Sequence, residues 1–154
     1  MSIQRIAAER GVNPETVNRA YHVWLMMLQR CYLPSCNIFH KYGAKGVTVC
    51  DRWRDSFEAF IDDMGFGAVG LSIDRINNAK VYSPETCRWA TNTQQQRNRT
   101  NNRLIEYEGE TLCVADVADR CGIPDRVLRR RLSSGWTVER ATTTPVKKQK
   151  GTRN

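Results

Sequence analysis

The stretch from Ser72 to Arg99 reads SIDRINNAKVYSPETCRWATNTQQQRNR, and its reading organises the rest of the chain. It sets an acid, Asp74, on a short strand, follows it with a polar turn, and then presents the tight unit Cys87-Arg88-Trp89-Ala90-Thr91. Beyond Thr91 a helix start crowded with Gln, Asn and Arg is too polar for a core element. Trp89 reads as the hydrophobic anchor of a second strand. Strand, loop, strand and helix then follow one another within a short span.

Upstream, IQRIAAERGVNPETVNRAYHVWLMMLQRC reads as helix, turn and helix. Ile6 and Ala7 precede a break at Gly11, and Asn13-Pro14-Glu15 is a helix-start signal with proline in the first turn. Val17, Tyr21, Trp24 and Leu28 recur at spacings of three and four and predict one apolar face, that of a packing helix. Pro34, Gly43 and Gly46 exclude a regular helix over 32–49. The GVTVC segment, Gly46 to Cys50, has the β-branched alternation of a short strand. DRWRDSFEAFIDDMG follows as one helix capped by Asp51, with Trp53, Phe57, Phe60, Ile61 and Met64 as a core stripe and Gly65 closing it.

Downstream, LIEYEGETLCVADVADRCGIPDRVLRRRLSSGW predicts a strand over Leu104 to Tyr107 and a turn at Glu108-Gly109. A helix capped by Thr111 comes next, with Val114, Val117 and Ala118 inward, then a turn at Gly122. Pro124 starts a second helix with Val127, Leu128 and Leu132 inward. This is the layout of a helix-turn-helix. The boundaries expected are 1–103 for the first domain, 104–141 for the helix-turn-helix and 142–154 for a disordered basic tail.

Composition narrows the partners. The 154 residues carry a net charge of +8 and 40% hydrophobic residues, a balance that favours two compact cores over one extended core. An isoelectric point near 9.5 favours a polyanion, because Lys and Arg beside phosphates release condensed counterions. No run is apolar enough for a membrane span and no signal peptide opens the chain, so a soluble intracellular protein is expected. No small-molecule substrate is evident.

Two constellations carry candidate chemistry. On the second helix of the C-terminal pair, Arg126, Arg129, Arg130 and Arg131 occupy positions not used by the inward residues. Outward arginines of this kind grip phosphate oxygens or bond guanine edges. The plainer reading is a solvated face balanced by Asp116, Asp119 and Glu139. The cysteines also have two readings. Cys31, Cys36, His40 and Cys50, with Cys87 as a substitute, include the ligand types of a Cys3His zinc site. Otherwise they are small thiols packed beside the aromatic core. Cys113 and Cys121 sit near apolar positions and read as core.

Several segments together carry a resemblance: Arg30-Cys31-Tyr32, YGAKGVTVCDRW, SFEAFIDDMG, the Ser72–Arg99 stretch and the closing GWTVERA. The chain resembles, from about Tyr21 to Ala141, a class of phage-encoded HNH-type proteins (His-Me finger, homing-endonuclease-like), with CRWAT as the most specific piece. The resemblance implies an α+β fold, a small ββα domain with helical embellishments followed by the helix-turn-helix. It implies double-stranded DNA as partner, the bacterial host cytoplasm as location, and divalent Mg or Mn as cofactor. Asp74 then matches the metal carboxylate and Asn98 the helix-borne ligand, with Arg75 completing the catalytic positions. Arg88, Gln95, Arg97 and Arg99 would face DNA together with the Arg126–Arg131 set.

Two departures matter: Arg75 stands where the His base would be, and Thr86 where a loop Asn would be. A guanidinium stays protonated near neutral pH and is a poor general base. The expected function is a DNA endonuclease or nickase of weak activity. The alternatives are the same scaffold without catalysis, acting as a DNA-binding regulator, and an inhibitor docking on a host protein.

Overall fold

The computed structural model describes residues 2–146, and the chain divides into two compact units between Asn98 and Arg99. Helices and three two-stranded pairs make it an α+β protein.

The first unit opens with α1 (Ile3–Arg10), which ends at Gly11 in the left-handed region (φ 63°). Asn13 caps α2 (Pro14–Tyr32), its side-chain oxygen accepting the Glu15 amide at 2.8 Å. The fully buried line on α2 is Val17, Ala20, Met27 and Cys31. Tyr21, Trp24 and Leu28, expected on the inward face with Val17, are half-buried at its edge. There Tyr21 and Trp24 pack on Phe57 with ring centroids 5.2 and 5.7 Å away. The Trp24 indole donates to the Trp53 carbonyl at 2.6 Å, so its polar edge finds a partner without leaving the core.

The strand expected within Gly46 to Cys50 forms as β1 (Thr48–Val49) and lies parallel to β3 (Val81–Tyr82). The single helix expected from Asp51 is two: α3 (Asp51–Asp55) and α4 (Phe57–Met64). Ser56 between them is extended (φ −143°, ψ 121°), and its hydroxyl accepts the Ala59 amide at 3.1 Å as a fresh N-cap. Cys50, not Asp51, occupies the cap position of α3. Trp53, Phe57 and Phe60 all reach full burial across this break.

Strand β2 (Ser72–Arg75) pairs antiparallel with β4 (Cys87–Ala90), and α5 (Asn92–Arg97) follows. Thr91 and Gln94 start α5 with a reciprocal capping box. Trp89 is the anchor expected of it: its indole donates to the Met64 carbonyl at 2.6 Å and its ring lies edge-on to Phe60. Gly67 (φ 65°) passes so close that a Cβ there would meet the Trp89 ring at 2.6 Å.

The second unit begins with the hairpin of β5 (Leu104–Tyr107) and β6 (Glu110–Cys113). The turn residues Glu108 and Gly109 both have positive φ, the geometry that matches strand twist in two-residue hairpins. Thr111, expected to cap a helix, therefore lies in β6. Helix α6 (Val114–Cys121) starts after Cys113 and ends at Gly122 (φ 64°). Gly122, Ile123 and Pro124 turn the chain into α7 (Asp125–Ser133), and α8 (Val138–Thr143) completes the unit. Val114, Val117, Ala118, Leu128, Leu132 and Ala141 form its core. Thr142 and Thr143, expected at the head of the tail, are the last residues of α8. The remainder of that tail, 147–154, lies outside the described residues. Among the described residues no helix is long and apolar enough to cross a membrane.

Candidate functional site

In the β2–β4 pair Asp74 faces Arg88 and Arg75 faces Cys87. Successive strand residues point to opposite faces, so Asp74 and Arg75 belong to different sites. The Asp74 face is covered by α5. Gln95 donates to the Ser72 hydroxyl and, at 3.4 Å, to its carbonyl. Asn98, at the end of α5, donates from Nδ2 to the Arg75 carbonyl at 2.7 Å. The same nitrogen meets the Asp74 carboxylate oxygens at 3.4 and 3.3 Å, and Asn78 Nδ2 holds the Asn98 carbonyl at 2.7 Å. Across the strands Arg88 Nε and Nη2 both reach Asp74 Oδ2 at 3.3 Å. The carboxylate is the more buried partner, with a side-chain exposure of 12% against 45% for Arg88.

Asp74 and Asn98, expected together as ligands of a divalent ion, are thus brought together, but in a hydrogen-bonded form. An amide ligates a hard cation through oxygen. Here the acceptors around Asn98, two carboxylate oxygens and a carbonyl, fix its nitrogen toward Asp74. Ligation would require the amide to flip, losing the bond to Arg75 and turning oxygen toward carboxylate. It would also set the ion beside the Arg88 guanidinium. One neutralised carboxylate and one reversed amide do not fit a preformed Mg or Mn site.

Arg75, expected at the catalytic position, corrects to a different role. Its guanidinium lies 5.0 Å from the Tyr82 ring centroid and 5.2 Å from that of Tyr42, and Nη1 donates to the Ala79 carbonyl. Thr86 Oγ1 donates to the Val81 carbonyl at 2.6 Å and accepts the Ser83 amide at 3.1 Å, which closes the loop between β3 and β4.

The expected zinc ligands do not converge. Among the described residues no group of three or more His, Cys, Asp or Glu side chains is placed to hold a metal. Cys31 and Cys87 are buried, Cys36 and Cys50 half-buried, and His40 is exposed on a short 3-10 turn. Burial pushes the Cys31 and Cys87 thiols up from their ordinary values, against the lowering influence of nearby arginines. They behave as core thiols.

On α7, Arg126, Arg129 and Arg130 are exposed as expected. Arg129 pairs with Asp125 one turn earlier at 2.8 Å, while Arg126 and Arg130 have no ion-pair partner among the described residues. Arg131 is a correction. It is 8% exposed and points inward, donating at 2.7 Å to the Ala141 and Thr144 carbonyls and at 2.9 Å to that of Pro145. These are orphan carbonyls at the end of α8, which a cation satisfies well. Of the remaining residues expected at DNA, Arg88 and Gln95 are engaged as described, Arg97 is half-buried at the end of α5, and Arg99 is exposed. Arg30 was missed altogether. It stacks within 4.9 Å of Tyr42 and 4.8 Å of Tyr82, the same rings that Arg75 meets. Nothing in the linear sequence links Arg30 to Arg75.

No family model, curated protein or solved structure matches the chain.

Proposed function

We propose that the protein binds double-stranded DNA through an HNH-like ββα unit followed by a helix-turn-helix unit, and acts as a binding module rather than a nuclease. The observation that carries the reading is the exposed Arg126, Arg129 and Arg130 on α7, entered through the tight Gly122–Pro124 turn. Such a helix presents guanidiniums to phosphates and base edges. The net charge of +8 supports the same partner. Against catalysis stand the ion pair between Asp74 and Arg88, the nitrogen-first Asn98 and the displaced Arg75.

The experiment is a pair of assays on the full chain. Duplex DNA is titrated at several salt concentrations, and supercoiled plasmid is incubated with Mg or Mn. Salt-dependent binding without nicking is expected. Fast double-strand cleavage that is lost in Asp74→Ala sinks the binding-module reading. Absence of DNA binding at low salt sinks the DNA reading and returns attention to a host protein partner.

A further inference from the structure

Arg30 and Arg75, 45 positions apart in sequence, come together in the first unit from α2 and β2. Each guanidinium carbon lies about 5 Å from the ring centroids of both Tyr42 and Tyr82. Both arginines influence the same three groups, Cys31, Tyr82 and Cys87, so their charges share one small volume. Neither has a carboxylate partner among the described residues. Two half-buried like charges side by side are unfavourable unless something neutralises them.

The second observation is more specific. Arg30 Nε and Nη2 are buried and have no hydrogen-bond partner. These two donors form the side-on fork with which arginine grips an oxyanion through two parallel bonds. Ring faces compensate the charge of a guanidinium but do not accept its in-plane hydrogens, so the fork still lacks acceptors. Elsewhere in the chain, arginines with several acceptors find them within the protein, as Arg131 does.

We propose that Arg30 and Arg75 form a binding site for one oxyanion, a phosphate group. Tyr82 is a fixed wall, 2% exposed and held in β3. Tyr42 is half-buried and sits in the turn beside Gly43, where a Cβ would strike the Cys31 carbonyl at 2.2 Å. That close approach brings Tyr42 over the end of α2. Two sources offer the group, a DNA backbone phosphodiester and a free phosphate. The first rests on the DNA-binding reading above; the second does not.

The test uses the full chain with inorganic phosphate, then with duplex DNA. Arginine Nε–Hε resonances are followed by NMR during titration to phosphate on the order of tens of millimolar, with chloride of equal ionic strength as control, and melting is followed in parallel. The expected result is a saturable shift of the Arg30 and Arg75 signals and a phosphate-specific rise in Tm. Arg75→Lys and Arg30→Lys keep the charge but lose the fork, and are expected to lose most of the Tm rise. The wild-type resonances keep the inference testable even if a variant fails to fold.

With DNA, the charge-removing variants Arg30→Gln and Arg75→Gln are each expected to flatten the log-log salt dependence by about one unit, the loss of one phosphate contact. A phosphate effect with an unchanged DNA slope assigns the site to free phosphate and removes the backbone source. DNA binding without any phosphate-specific shift in the wild type overturns the site and leaves the α7 reading standing. A phosphate effect without DNA binding does the reverse.

Discussion

The two units place their arginines differently. The first unit pairs Asp74 with Arg88 across the strands and Asp63 with Arg52 and with the Trp53 indole, and holds Arg30 and Arg75 against tyrosine rings. The second unit places four arginines on one helix, buries Arg131 against backbone carbonyls, pairs Arg129 with Asp125 and leaves Arg126 and Arg130 to the solvent. The difference teaches where to look for a polyanion. A guanidinium already matched to a carboxylate must give up that partner to meet a phosphate, whereas an open one loses only water.

Neighbouring residues give the sharpest attempt to break that comparison. Arg131→Ala leaves three carbonyls without their donor and is expected to cost the second unit about 3 kcal/mol. Urea unfolding reads this directly, and an unchanged midpoint would mean that Arg131 is not structural. The triple change of Arg126, Arg129 and Arg130 to Ala is expected to do the opposite. Stability stays within about 0.5 kcal/mol, while the salt dependence of DNA binding falls by roughly two to three units if each arginine meets one phosphate.

Smaller effects are expected at Asp74. Asp74→Ala removes a partly buried carboxylate with its bonds to Arg88 and Asn98, a loss of about 1–2 kcal/mol, and DNA affinity stays the same or rises because a negative charge is gone. A large loss of affinity would instead place Asp74 in the DNA interface. An acid titration reads the pairing inside the first unit. Hydrogen bonds from Arg52, and then from the Trp53 indole, hold the Asp63 carboxyl below its ordinary value. A lowered folded value means that its stabilisation is present above the unfolded value, near 4, and is lost as pH falls through the folded one. The first unit is expected to lose stability below about pH 4, and Asp63→Asn to flatten that limb. The smallest expected effect is no effect. Arg75→His is expected to leave plasmid nicking at background, since residue 75 faces Cys87 and not the Asp74 side; metal-dependent nicking by this variant would show that the two faces communicate.

The sequence by itself determined the local elements whose causes are local. Asn13 before Pro14 and Gly122 after an apolar stripe each satisfy nearby backbone groups, so a linear reading finds them. The same holds for β2, β4 and α5, for Trp89 as their anchor and for Val114, Val117 and Ala118 as an inward face, whereas β3, inside the expected loop, owes its strand to the distant β1. Tertiary structure alone decided which partner each long polar side chain takes. Arg126 and Arg131 sit on one helix and look alike in sequence, yet one is exposed and the other caps α8. Arg75 is adjacent to Asp74 and lies on the opposite face. Ser56 breaks a continuous helical pattern because its hydroxyl and the burial of Trp53, Phe57 and Phe60 together outweigh helix continuity. Flexible cations and short polar residues have several partners within reach. Packing of distant segments, with the requirement that buried polar groups be satisfied, selects among them.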